Sequence, residues 1–138
     1  MYLLDTNVVS ELRKSHPDKQ VKRWAASVST ASLYLSVISM MELETGVLRI
    51  ERRDARQGAT LHRWLDKQLV PAFAGRALPI DTAIALRCAV LHVPDQMAHG
   101  DALIAATALV HGLTVVTRNT TDFEAAGVAL INPWLGQA

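Results

Sequence analysis

Cysteine is almost absent from this 138-residue chain, with Cys88 standing alone. One thiol excludes an intramolecular disulfide and fits a reducing compartment. There is no His-x-x-x-His pair among the five histidines either, so a zinc-type set of nitrogen and sulfur ligands is not evident. Aromatic residues number seven (three Trp, two Tyr, two Phe), too few to support extensive base stacking. No apolar run approaches the ~18 residues of a membrane span, and no basic-then-apolar leader opens the chain. A cytoplasmic protein with no membrane contact is the expectation. Charge of one sign is lacking too: 14 Lys and Arg face 13 Asp and Glu, a formal +1. That balance neither supports nor excludes a nucleic-acid partner, because a local patch can do that work. What the chain does have is hydrophobic residues, half of the total. Disorder is thereby disfavoured, and a single domain over residues 1–138 would bury roughly two-thirds of its unfolded surface.

Strand and helix signals alternate from end to end. Tyr2 to Leu4 is a short apolar run that meets Asp5-Thr6-Asn7, and Val8, Val9 and Leu12 follow at helical spacing. Asp18 precedes a short helix through Val21, Trp24 and Val28. Leu33 to Val37 reads as a second strand, and Ser39-Met-Met-Glu42 opens a helix through Leu43, Val47 and Ile50. The charged stretch Arg49 to Arg56 follows, then an amphipathic helix over 59–73 that ends near Pro71. Ala77 to Ile80 is a weak strand before a helix capped by Asp81. From Gly100 to His111 nearly every residue is apolar, which calls for a helix buried on most sides and closed by Gly112. Leu113 to Val116 is the clearest strand. The polar turn Thr117 to Asp122 comes next, and Val128 to Ile131 forms the last strand. The pattern is that of an α/β/α sandwich around a parallel sheet of four to five strands.

Most acids on this map have plain structural places. Glu51, Asp54 and Asp66 fall on charged helix faces, and Asp18 and Asp81 look like N-caps. Four invite another explanation. Asp5 and Asp122 follow strands, while Glu42 and Asp101 enter helices. Each has an ordinary account alone: Asp5 as a helix cap, Glu42 within the capping-box pattern Ser39-x-x-Glu42, Asp101 as a first-turn acid favoured by the helix dipole, and Asp122 as a solvated turn residue. Together they fit a cleft, because strand ends and the helix starts that follow them share one edge of a right-handed parallel sheet: Asp5, Glu42 and Asp122 converge there, and Asp101 joins them if its helix starts toward that edge. Four carboxylates in one cleft repel one another and call for a divalent cation. Oxygen-only ligands select Mg²⁺ or Mn²⁺ over zinc. Thr6, Asn7, Thr117 and Asn119 supply neutral oxygen groups nearby.

These motifs resemble the PIN-domain ribonucleases, and within them the VapC toxins with their FitB-like group. The carriers are Leu3-Leu-Asp-Thr-Asn-Val8, Ser39-x-x-Glu42-Leu43 with Gly46, Asp101-Ala-Leu-Ile-Ala-Ala106, Val116-Thr-Arg-Asn-x-x-Asp-Phe123 and the late Asn132-Pro-Trp134. They span the chain in the family's order. The resemblance implies a PIN-like fold, Mg²⁺- or Mn²⁺-dependent endonuclease activity on RNA, a cognate VapB-like antitoxin and a homodimer. Carried over by position, Asp5, Glu42 and Asp101 match the three main acids. The fourth falls on Asp122, with Asn119 as a neutral helper, although many relatives carry the acid at the position of Asn119. Thr6 and Ser39 match supporting polar positions. Asp5 and Asp101 are the first choice for direct metal ligands, and Arg118 is the candidate for an RNA phosphate contact.

Three other readings compete. A phospho-receiver domain also places acids at parallel strand ends, but it requires a late lysine and none follows Lys67. A catalytically silent PIN-like interaction module would have no reason to keep Asp5, Glu42 and Asp101 together. A DNA-directed nuclease of similar architecture shares the chemistry. Cys88, mid-helix on an apolar face, reads as core, and His99 reads as a solvated helix-start residue near the cleft. Trp24, Met40, Met41 and Trp64 divide between core and partner surface in a way the residues alone leave open.

Overall fold

A computed structural model describes residues 1–136. Five strands form one parallel sheet: β1 (Tyr2–Leu4), β2 (Leu33–Ser36), β3 (Ala77–Leu78), β4 (Thr114–Val116) and β5 (Leu130–Ile131), in the order β3-β2-β1-β4-β5. Tyr2 lies opposite both Leu33 and Thr114, so β1 is paired on both sides. A central parallel strand is covered on both faces, which is why Leu3 and Leu4 form a continuous apolar run. Their side chains point to opposite faces. Leu4 packs with Leu35, Val116, Val8 and Val21 in one core, and Leu3 packs with Val115, Ile104 and Phe123 in the other.

The first face is covered by α1 (Thr6–Arg13), α2 (Lys19–Ser27), α3 (Val37–Arg53) and α4 (Ala55–Trp64), and the second by α6 (Thr82–Leu91) and α7 (His99–His111). A one-turn helix, α5 (Val70–Ala72), ends the run that α4 begins. The result is the expected α/β/α sandwich. Caps also fall as read: Asp18 accepts from the N–H of Gln20 and Val21, Asp81 from Ile84, and Gly112 takes φ 68° to end α7.

Two helix starts differ from the sequence expectation. Helix α3 begins at Val37, with the Ser36 hydroxyl accepting from the Ile38 N–H, so Ser39 lies inside the first turn and no capping box forms with Glu42. The strand ends one residue early, and buried Ser36 caps the next helix directly. Helix α4 begins at Ala55 instead of position 59, because Asp54 is its N-cap, accepting from Gln57 N–H, and not a residue on a charged face. That helix passes through Leu65–Leu69 as a π turn before reaching Pro71, which has no N–H to contribute to a helical ladder.

The α3–α4 hairpin is closed by two contacts. Gly58 is buried against Glu51, where an added Cβ would stand 2.5 Å from the Glu51 Cα. His62 lies between two acids of α3, with Nδ1 2.8 Å from Glu51 and Nε2 2.8 Å from Glu44. The apolar residues left open by the sequence now divide. Trp24 is buried and meets Tyr2 edge-on, Met40 and Trp64 pack partly on the first core, and Met41 is exposed. Cys88 is buried in the core, as expected.

Candidate active site

The carboxyl ends of β1, β2 and β4 and the starts of α1, α3 and α7 meet in one open cleft. It is lined by Asp5, Thr6, Asn7, Glu42, Asp101 and Asn119 on its floor and sides. Asp5 extends the sheet: its N–H donates to the Val116 carbonyl at 2.9 Å. Its Oδ1 then caps α1 by accepting from the Thr6 N–H at 2.8 Å, and its Oδ2 accepts from the Thr117 hydroxyl at 2.8 Å. Capping and site geometry are therefore one arrangement, since the cap leaves the carboxylate fixed at the sheet edge. Thr117 is fully buried, and its oxygen also accepts from the Asn119 N–H at 3.0 Å.

Glu42 sits one turn into α3 and is held by the Thr6 hydroxyl at 2.5 Å, with buried Ser39 3.1 Å behind the same hydroxyl. Asp101 enters the first turn of α7. Gly100 leaves room for Glu42 where α7 meets α3, since a Cβ there would stand 3.3 Å from the Glu42 carboxylate. Asp122 is exposed on the 3-10 turn Thr120–Ala126 and does not line the cleft wall, although Asn119 does. Its charge nonetheless reaches both Asp5 and Asp101.

The electrostatics follow from burial and crowding. Burial pushes the Asp5 carboxyl above the ordinary range, the donors from Thr117 and Thr6 pull it back, and the charges of Glu42 and Asp122 push it up again. Asp101 is raised to about 6, first by desolvation and then by Asp5, Asp122 and Glu42. Carboxylates crowded in this way gain from a positive ion. The donors within reach are carboxylate, hydroxyl and amide oxygens, with no sulfur or imidazole among the cleft residues. His99 points instead to His92 and Gln96. Among the described residues no three acidic, histidine or cysteine side chains are gathered closely enough to hold an ion by themselves. The set suits a hard cation that keeps part of its water shell, as Mg²⁺ does.

The cleft contains more than the sequence reading singles out. Ser10, Glu11, Lys14 and Trp134 line it as well. Glu11 accepts from the Asp18 N–H and pairs with Lys14 at 3.0 Å, and these partners hold its carboxyl below the usual range. The signal for three of these is the polar face that α1 presents, where Ser10, Glu11 and Lys14 follow Asn7 at i+3, i+4 and i+7. Trp134 is noted in the sequence only within the Asn132-Pro-Trp134 motif, and no local pattern points it to the cleft.

A family model described as "PIN domain" matches residues 2–128. The chain is 40% identical over 139 residues to "Toxin FitB" of Neisseria gonorrhoeae, covering 97% of this chain and 99% of that one. It is also 40% identical over 139 residues to "VapC ribonuclease Y4jK" of Sinorhizobium fredii, covering 97% and 98%. Among solved structures, the fold is similar to FitAcB from Neisseria gonorrhoeae, with a TM-score of 0.90 at 40% identity over 97% of this chain and 99% of that one. It is also similar to FitAB bound to a DNA fragment, with a TM-score of 0.91 at 37% identity over 100% and 99%.

Proposed function

The chain belongs to the PIN-domain family, and from that premise we propose that it is the toxin of a toxin–antitoxin pair, a cytoplasmic Mg²⁺- or Mn²⁺-dependent endoribonuclease. The observation that carries the reading is the meeting of Asp5, Glu42 and Asp101 in one cleft at the carboxyl edge of the sheet, where the groups able to hold a metal are oxygens. The names of the relatives, a VapC ribonuclease and Toxin FitB, support it.

In this reading Asp5 and Asp101 hold the metal directly, and Glu42 and Asp122 complete its surroundings through water. Bound Mg²⁺ or Mn²⁺ supplies the Lewis acidity that activates water and offsets charge building on the phosphate and the leaving oxygen. The chain's own residues do the rest. Thr117 and the Thr6 N–H fix the two oxygens of Asp5, the Thr6 hydroxyl with Ser39 behind it fixes Glu42, and Asn7 links Asp5 to the backbone of Arg118. Such supporting contacts are worth roughly 10–100-fold in metal affinity or activity.

Two surface features support a place for the antitoxin. An apolar groove lined by Val9, Leu12, Arg13, Trp64, Leu69 and Phe73 runs between α1 and the α4–α5 arm. A second hollow, sharing Arg13 and Trp64 with it and Thr6 and Glu42 with the cleft, joins groove to site. An amphipathic antitoxin segment laid in that groove would deliver a basic side chain to the carboxylates. The second copy of the homodimer would cover the outer face of α6 and its end, where Leu86, Val90 and Val93 are 66%, 64% and 74% exposed.

The deciding experiment is cleavage of a mixed cellular RNA pool by purified, antitoxin-free protein with Mg²⁺ or Mn²⁺, beside EDTA and Asp5→Asn controls. Cleavage lost in both controls is the expected result. Intact RNA from a folded, metal-binding protein would redirect the reading to DNA, and intact RNA without metal binding would leave a protein-binding module.

A further inference from the structure

We propose that Arg118 is the phosphate anchor of the RNA groove and that the Asn132-Pro133-Trp134 turn is the positioning element that holds it there. The inference rests on the endoribonuclease reading above and deepens it. Arg118 stands on the cleft wall directly after Thr117, the residue that pins Asp5. Its backbone is clamped on both sides. The Arg118 N–H donates to the Asn7 side-chain oxygen at 3.4 Å, and its carbonyl accepts from the Asn132 amide at 3.3 Å. Asn132 uses its other atom, Oδ1, to accept from the Trp134 N–H at 3.0 Å, which closes the 3-10 turn Pro133–Leu135. One asparagine thus ties the last turn of the described chain to the cleft.

The ring of Trp134 completes the device. It packs partly on the first core and also lines the cleft, and the Arg118 guanidinium lies 5.2 Å from its centroid, a cation–π distance. Among the described residues Arg118 has no carboxylate within 4 Å, although its charge reaches Glu11, whose direct partner in the same cleft is Lys14. A guanidinium stacked on a ring keeps its N–H groups free along its edge, the geometry that suits a phosphate. An unpaired cation beside an acidic centre also answers the obvious difficulty of the site, which is how a polyanion approaches several carboxylates. A free arginine on an exposed loop would spend its time elsewhere. Here the aromatic ring and two backbone hydrogen bonds hold it ready, so less freedom is lost on binding.

The test separates anchor from scaffold. Binding is measured by fluorescence anisotropy with a fluorescein-labelled, mixed-sequence single-stranded RNA in EDTA, in an Asp5→Asn background that cannot cut. Cleavage of the same RNA is followed separately in the Asp5 protein with Mg²⁺. Arg118→Ala is expected to weaken binding about tenfold, as loss of a charged hydrogen bond does. It should flatten the log K against log salt slope by ~0.7, one phosphate contact on a single strand, and raise KM with kcat nearly unchanged. Trp134→Ala should weaken binding about two- to fivefold, and Trp134→Phe, which keeps an aromatic face, should restore most of it. The double variant Arg118→Ala/Trp134→Ala should bind no worse than Arg118→Ala alone, because the ring acts only through the arginine. Thermal melts of each variant identify loss through unfolding, and in that case the phenylalanine variant carries the test. Additive losses, an unchanged salt slope, or a Trp134→Ala protein that is folded and binds normally would each overturn the proposal while leaving the nuclease reading intact. So would an intact RNA affinity combined with weakened antitoxin binding, which would make the turn a partner contact. Failure of the Asp5 protein itself to cut RNA would instead be failure of the nuclease reading.

Discussion

Thr117 offers the sharpest test of how the site is held. It is fully buried, donates its hydroxyl proton to Asp5 at 2.8 Å, and accepts from the Asn119 N–H at 3.0 Å. Thr117→Val keeps the shape and removes both interactions, together with the longer 3.5 Å bond that the hydroxyl accepts from the Asn7 amide, which keeps Asp5 as its other acceptor. The lost bond to a carboxylate is worth about 1.5–3 kcal/mol. The Asn119 N–H lies at an exposed residue and regains water, so it adds little. The net expectation is a loss of about 2 kcal/mol in the metal-free protein. For a domain of this size that lowers Tm by roughly 6–10 °C. Activity should suffer separately. Without its donor, Asp5 loses one of the two contacts that lower its proton affinity, so its carboxyl rises further from the ordinary range. Apparent Mg²⁺ affinity should fall roughly 10–100-fold. The assay is a thermal melt in EDTA paired with RNA cleavage across a Mg²⁺ titration, with Thr117→Ser as the variant that keeps the hydroxyl. A valine variant that melts and cuts like the parent would refute the claim that this buried hydroxyl organises Asp5.

Other consequences are equally direct. Asp101 has its pKa raised to about 6, so its contribution to metal-free stability is fully present below the unfolded value near 3.8 and is lost as pH rises through 6. The full linkage of about 3 kcal/mol is discounted by screening at a partly exposed carboxyl to roughly 1 kcal/mol. Asp101→Asn should therefore raise Tm in EDTA at pH 7.5, have little effect at pH 4, and abolish RNA cleavage. His62 is raised by its hydrogen bonds to Glu44 and Glu51, so the clamp it forms stabilises the α3–α4 hairpin below its unfolded pKa near 6.5 and fades as pH rises through the folded one. Denaturant melts of His62→Gln should lose that alkaline decline, and a parent-like profile would show that the clamp is idle. Gly58→Ala should cost about 2–3 kcal/mol, despite alanine's better helix propensity, because the new Cβ meets Glu51 backbone; a neutral urea midpoint would count against that close approach.

The sequence by itself determined the features that depend on neighbouring residues. The Leu4-Asp5-Thr6 passage from strand to helix, the caps Asp18 and Asp81 and the αL closure at Gly112 are set by local hydrogen bonding and backbone preference, and all appear in the structure. The alternation of apolar strands with helical patterns was enough for the α/β/α layering, because burial periodicity is a local property of the chain. Asp5 and Glu42 could be gathered from sequence because strand ends and the helix starts that follow them share one edge of a right-handed parallel sheet, whereas Asp101 joins them because α7, which follows α6 and not a strand, starts toward that edge. Tertiary structure alone decided the rest. Ser39-x-x-Glu42 looks like a capping box, yet Ser36 starts that helix, and Thr6, more than thirty residues away in the chain, takes both Ser39 and Glu42. Thr117 reads as a neutral oxygen group near the site, but its burial and its bond to Asp5, 112 residues distant, are set by the fold. Asp122 and Asn119 cannot be ranked from spacing, because the path of a 3-10 turn decides which faces the cleft. Trp134 against Arg118 is likewise invisible in sequence. Long-range polar contacts leave no periodic trace, since their partners are chosen by where the sheet order brings the chain back.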